Sequence, residues 1–250
     1  MVDIVKVIVD NYDSGAKLGH GFEHAADQVE RFACLKAGTV SDVSHRNPFL
    51  HVQDSASVAD VCALLADGGH HRVTVFHGAD SARENLVNII TQFSVVTYLS
   101  QNLAQLGAVA HKTIGELHLG HAPVLTVQAS QKVIEALHTI IQHRVSGVPI
   151  VDDNNAILGN ISASDARSIA LYPAHIYRLD ETLRAFLVGV HDSDVDERTP
   201  SFVCTEHTTL SEVISRLSTL HIHRLYVVNA HGSPVRAITL RDVLHAILHN

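Results

Sequence analysis

The sequence predicts an α/β protein built from tandem β-α-β-β-α repeats, and three observations carry that reading. A pattern that starts at Phe49 occurs three times: a short strand, a polar helix start, an amphipathic helix, two more strands and a closing helix. Each copy carries a His-Arg dipeptide near the second strand, at His71-Arg72, His143-Arg144 and His223-Arg224. Each ends on a strand followed by a closing-helix start, reading T-Q-F-S, S-A-S-D and T-L-R-D. Self-similarity on this scale means one supersecondary unit used several times.

Taken in order, residues 2–12 (V-D-I-V-K-V-I-V-D-N-Y) fit a buried helix or a strand, and periodicity does not separate the two. A short helical segment is expected around 24–35, then a polar connection, S-D-V-S-H-R-N-P. Whole repeats span 49–102, 113–170 and 202–250, within segments bounded at 1–48, 49–108, 109–175 and 176–250. In the middle repeat Val148 to Val151 reads as a strand, D-D-N-N as a turn and Ala156 to Ile161 as a second strand, giving a β-hairpin. Ser162 can cap the following helix, with Asp165 in its first turn. Val133, Ile134, Leu137, Ile140 and Ile141 recur at helical spacing and read as core. The acidic stretch 189–200 reads as a solvated loop.

Composition narrows the function classes. With 250 residues, 46% of them hydrophobic, and a mean hydropathy of +0.14, the chain can bury a core in one to three small domains. No apolar run reaches the roughly 18 residues of a membrane helix. The first ten residues hold Asp3 and Asp10 with no basic lead-in, so they do not read as a secretory signal. Cys34, Cys62 and Cys204 are scattered and odd in number, which predicts a reducing compartment and neither a disulfide framework nor a Cys-x-x-Cys metal motif. A net charge of -8 argues against non-specific nucleic-acid binding. Neither a P-loop, nor Gly-x-Ser-x-Gly, nor a kinase signature, nor His-Glu-x-x-His occurs, so no enzyme is expected. Among the 20 histidines, His20-x-x-x-His24 and His221-x-His223 have metal-compatible spacing, but neither has a third ligand nearby in sequence, and no metal is expected.

The repeat resembles the cystathionine-β-synthase (CBS) domain, and the array resembles the gamma subunits of AMP-activated protein kinase. Q-H-R-V-S-G-V-P-I-V-D and I-H-R-L-Y-V-V carry the resemblance, with G-E-L-H-L-G-H-A-P and Y-R-L-D-E-T-L-R-A-F-L matching in order and type. It implies paired CBS repeats in a flattened, pseudo-symmetric disc that binds adenine nucleotides. Such subunits carry four repeats, and residues 2–12 resemble the last helix of the first, with Asp3 where a ribose-binding Asp sits. The chain therefore reads as beginning inside that first repeat.

The resemblance assigns roles to individual residues. Asp165 and Asp242, with Ser162 and Thr239, correspond to the ribose-binding carboxylates; an ionised carboxylate has only acceptors and suits a pair of hydroxyls. The alternative is an ordinary capping box. The first whole repeat has Ser94 at the Asp position, so its ribose site is expected to be absent. His71, Arg72, His143, Arg144, His223 and Arg224 are the phosphate candidates, because the Arg fork matches phosphate oxygens and His adds a donor that can be charged near neutral pH. A single such pair would more simply be exposed; three at one repeat position favour convergence. Val145, Ser146 and Gly147 would line the adenine pocket. Phe93 stands where the resembled subunits have a phosphate-facing Lys, and Val190 near an Arg, so two positive charges are missing.

The expectation is a regulatory subunit without catalytic cofactors that binds AMP, ADP and ATP and partners kinase alpha and beta subunits. Its expected place is the cytoplasm, with the nucleus as a second compartment. The last two whole repeats are expected to pair and build the best site from Ser146, Thr239, Asp242, His223 and Arg224, with Asp165 and Ser162 serving a second one. Two alternatives stand beside it: a free-standing CBS module for another adenosyl ligand such as S-adenosylmethionine, and a degenerate scaffold that binds no nucleotide.

Overall fold

A computed structural model describes residues 2–17, 49–68, 70–78, 85–166, 173–190 and 202–250. The segment expected as a helix at 24–35 and most of the acidic connection lie outside the described residues.

The opening stretch is helix α1 (Val2–Lys17). The first whole repeat follows as β1 (His51–Gln53), α2 (Val58–Ala66), β2 (Arg72–Phe76), β3 (Leu86–Thr91) and α3 (Gln92–Gln101). The middle repeat has β4 (Val127–Gln128), α4 (Val133–Gln142), β5 (Gly147–Val151) and β6 (Ile157–Ser162), and helix α5 (Leu183–Val190) follows it. The last repeat has β7 (Val203–Cys204), α6 (Leu210–Thr219), β8 (Arg224–Val228), β9 (Pro234–Thr239) and α7 (Leu240–His249). Each repeat forms its own three-stranded sheet, the first strand parallel to the second and the second antiparallel to the third. The hairpin register slips at the same place in all three, at Val75/Phe76, Ile150/Val151 and Val227/Val228. The β-α-β-β-α reading of the sequence is the observed fold of the first and last whole repeats; in the middle one β-α-β-β is observed, and the closing helix expected after it lies outside the described residues. No helix among the described residues is long and apolar enough to cross a membrane.

Helix starts follow from their capping residues. Ser57, Thr91, Thr209 and Thr239 each accept a hydrogen bond from the backbone N–H three residues on, and the side chain there returns to the cap. Two otherwise orphaned donors are satisfied at each start. In the middle repeat Asp152 closes the hairpin turn by accepting from the N–H groups of Asn154 (2.9 Å) and Ala156 (2.8 Å).

The chain divides into two compact units that interleave in sequence, residues 1–46 with 125–200 and residues 47–124 with 201–250. In the first unit α1 packs on α4, burying Val5, Ile8 and Val9 with Val133, Ile134, Leu137 and Ile140. Tyr12 Oη donates to Asp180 Oδ1 (3.1 Å), as does Lys132 Nζ (2.7 Å). The link after the middle repeat folds back on that repeat: Leu183 N donates to Gln131 O and Arg184 N to Ala129 O.

In the second unit α2 packs against α7 and α3 against α6. One core joins Val61, Leu65 and Val96 to Ile214, Leu217, Val243 and Leu244. The expected pairing of the last two whole repeats is corrected here, since the last repeat shares its core with the first whole one. The apolar stripe of α6 (Leu210, Val213, Ile214, Leu217) is matched by α3, which supplies Val95 and Val96. In both units a closing-type helix packs on another repeat's first helix, and α1 takes that place in the first unit. Residues 112–121, which lead into the middle repeat in sequence, instead bond to the last one. Ile114 N donates to Thr208 O, Gly115 N to Glu206 O and Leu210 N to Lys112 O.

Candidate functional site

Backbone register fixes which residues of the repeats are equivalent. Arg72 pairs with Thr91, Gly147 with Ser162, and Arg224 with Thr239. One residue earlier, the carbonyls of His71, Ser146 and His223 accept from the N–H groups of Gln92, Ala163 and Leu240. So positions 71, 146 and 223 correspond. The expectation of three His-Arg pairs at one repeat position is thereby corrected: His143-Arg144 lies three residues upstream of its supposed place. His143 caps the end of α4, and Arg144 has φ 56°. Its true counterpart is His221, with φ 54°. In both copies the next N–H closes the helix, from Val145 to Ile140 O and from Ile222 to Leu217 O, the bond of a left-handed helix end. Identical dipeptides concealed a shift that hydrogen bonding makes plain.

The residues opposite these positions hold the carboxylates. Asp242 Oδ2 accepts from Thr239 N–H (2.7 Å) and Thr239 Oγ1 (2.7 Å). Asp165 Oδ2 does the same with Ser162 N (2.7 Å) and Oγ (2.7 Å). In the first whole repeat Ser94 Oγ takes the N–H of Thr91 at 2.9 Å, so a hydroxyl serves the cap where no carboxylate stands. Capping and ligand binding are thus not exclusive, because the cap uses one carboxylate oxygen.

At Asp242 the other oxygen faces a residue that no sequence pattern places there. His121 Nε2 lies 2.8 Å from Asp242 Oδ1, although the histidine side chain is 72% exposed. His121 exchanges backbone hydrogen bonds with Ala237, 2.9 and 3.0 Å. Gly120 permits that approach, with φ +95° and space for a Cβ only 2.8 Å from Ala237 O. Arg236 Nη2 grips both oxygens of Glu206 at 2.6 Å while Nη1 donates to Leu119 O at 3.3 Å, fixing the same segment. Sequence reading missed His121 because it stands in a different repeat segment, far along the chain from its partner.

The phosphate candidates of the second unit gather at the starts of β2 and β8. His223 and Arg224 adjoin His71; partial burial, then the charges of Arg224 and His71, lower the His223 pKa below its ordinary 6.5. Phe93 packs against two imidazoles, its ring centroid 5.6 Å from that of His221 and 5.7 Å from that of His223. Tyr226 is buried, and its hydroxyl pKa is raised by burial, with Arg224 opposing the shift. His223 thus has Arg224 and His71 as neighbours and the Phe93 ring against it, and the paired imidazoles and Arg224 guanidinium suit an anion.

His71, Arg72, His223, Arg224, Thr239 and Asp242 belong to the second unit; Val145, Ser146, Gly147, His143, Arg144, Ser162 and Asp165 belong to the first. Of the set expected to form the best site, Ser146 is therefore on a different unit from the other four.

Comparison with known proteins agrees with this architecture. The CBS domain family matches residues 114–172 and 193–249. The chain is 28% identical over 262 residues to the SNF1-related protein kinase regulatory subunit gamma-1 of Arabidopsis thaliana, covering 99% of this chain and 61% of that protein. It is 25% identical over 199 residues to the 5'-AMP-activated protein kinase subunit gamma of Saccharomyces cerevisiae, covering 79% of this chain and 60% of that one. The chain thus spans about three fifths of the length of each of these two curated relatives. A crystal structure from Methanocaldococcus jannaschii, described as that of an archaeal homolog of g-AMPK, shares the fold with a TM-score of 0.61 at 14% identity, over 88% of this chain and 81% of that one.

Proposed function

The chain carries a pair of CBS domains and is homologous to the gamma regulatory subunits of AMP-activated and SNF1-related protein kinases, and from that premise we propose that it binds adenine nucleotides (AMP, ADP or ATP) and reports their levels to a Ser/Thr kinase complex with alpha and beta subunits. It is a non-catalytic regulatory protein. The observation that carries the nucleotide reading is the second unit's pairing of a buried, capped carboxylate with a cationic cluster. Asp242 supplies the acceptor for ribose, and His223 and Arg224, next to His71, supply donors for phosphate. Arg224 and Thr239 are register partners, so both functions sit on one hairpin. A ligand that prefers one arrangement of the complex shifts its population.

The His121–Asp242 contact favours a second reading, a scaffold whose ribose position is already filled. Calorimetric titration of the purified protein with AMP, ATP and S-adenosylmethionine, beside Asp242→Ala, separates the readings. Binding of AMP or ATP that the substitution abolishes supports the sensor. A folded protein that binds none of the three sinks it in favour of the scaffold, and S-adenosylmethionine binding alone moves it to another class of adenosyl ligand.

A further inference from the structure

Away from the nucleotide candidates, one cluster of metal-ligating side chains has no role so far. Asp67 follows α2 as its C-cap, and His245 and His249 stand one turn apart on α7. His249 Nε2 is 3.2 Å from Asp67 Oδ1 and His245 Nε2 is 3.9 Å from the same oxygen. One ligand atom from each residue lies within 4.8 Å of the others. We propose that Asp67, His245 and His249 form a surface site for a divalent transition-metal ion of the zinc class, which clasps the end of α7 to the end of α2.

Geometry, charge and ligand type each support it. Two ligands about 2.1 Å from a tetrahedral zinc stand roughly 3.4 Å apart, and the two Asp67 distances, 3.2 and 3.9 Å, bracket that spacing. Helical histidines four residues apart share a face; the two imidazole centroids here are 4.3 Å apart. Both α2 and α7 end at this point, and helix C-termini carry partial negative charge that favours a cation. The junction is held without metal by Arg241 Nε, which donates to Ala66 O at 2.7 Å. The two imidazoles are borderline ligands that favour zinc-like ions over Mg²⁺ or Ca²⁺, and zinc accepts a carboxylate beside them. All three residues are exposed, so water can complete the coordination.

The test uses the full-length protein, freed of metal and nucleotide, titrated calorimetrically with ZnCl₂ and, as a control, MgCl₂. Co²⁺ serves as a spectroscopic probe, because tetrahedral coordination gives it strong visible d–d absorption. The expected result is one Zn²⁺ site per chain, no Mg²⁺ site, and loss of both the Zn²⁺ site and the Co²⁺ absorption in His245→Gln/His249→Gln. Asp67→Asn should weaken Zn²⁺ by at least about tenfold, since even a residue that only orients a ligand is worth that much. The proposal is overturned if the protein takes up no Zn²⁺, or if the double variant titrates like the parent, which would place the metal on other histidines. Should the double variant not fold, each single substitution tests the same point: an unchanged titration overturns the site.

Discussion

A single carboxylate at position 242 does two jobs that substitution can separate. Its Oδ2 caps α7 and its Oδ1 faces His121. Asp242→Ala should cost about 1 kcal/mol of stability through the lost cap and also abolish nucleotide binding. Asp242→Asn keeps a capping acceptor, so it should retain most of that stability in a thermal melt and still fail to bind. Equal behaviour of the two variants in both measurements would refute the division. His223 makes the matching prediction about pH. Its folded pKa lies below 6.5, so the stability tied to the neutral ring is complete above the unfolded value and is lost as pH falls through the folded one. A bound phosphate raises that pKa again. AMP binding should therefore take up a proton and tighten as pH falls from about 7.5 toward 6.5. Calorimetry in two buffers of different ionisation enthalpy reads the uptake, which His223→Gln should remove. At this scale the sequence was a good guide to Asp165 and Asp242, where the Ser/Thr-x-x-Asp spacing marks a helix start. It was a poor one to His121, whose place depends on backbone bonds to Ala237.

Among elements, the segment 112–121 is the least legible from sequence and the most easily tested. It precedes the middle repeat in the chain yet bonds to the last repeat, anchored by Arg236 and by the close passage at Gly120. Gly120→Ala puts a Cβ at 2.8 Å from Ala237 O in a positive-φ residue; strain of this kind costs about 1–3 kcal/mol. The melt should fall accordingly, and the His121 imidazole should leave Asp242, seen as a shift of its ring resonances. An unchanged melt and unchanged resonances would show that the bridge to Ala237 does not set the histidine. The middle repeat gives the converse lesson. Periodicity located α4 well, and four of its five expected core residues are fully or nearly buried, with Ile141 partly so. The dipeptide His143-Arg144 misplaced the repeat equivalence, because it sits at the helix end, where Arg144 matches His221, and not at the strand entry, where Ser146 matches His223.

For the whole molecule, interleaving matters more than the count of repeats. The second unit needs residues 47–124 and 201–250 together, and its core joins α2 and α3 to α6 and α7. A fragment of residues 47–170, which holds two complete repeats by sequence, should therefore expose the apolar faces of α2 and α3. It is expected to aggregate or to melt without a cooperative transition, whereas the full chain melts cooperatively; gel filtration and circular dichroism decide. A monomeric, cooperatively folded fragment would refute the shared core. The sequence announced the repeats because each carries its own hairpin and caps. Which repeats share a core was hidden, because the apolar stripes on α4 and α6 are alike and no local pattern names a partner.

The same interleaving has a consequence for synthesis. A repeat that shared its core only with its immediate successor could close as soon as that successor left the ribosome. Here the faces of α2 and α3 wait for residues 210–249, while an entire foreign repeat and its connections emerge between them. At about 5–20 residues per second of translation, that leaves uncovered hydrophobic surface on the nascent chain for on the order of ten seconds. The repeat at residues 49–102 is thus sheltered only once residues 210–249 have been made, and during that interval chaperone capture competes with aggregation.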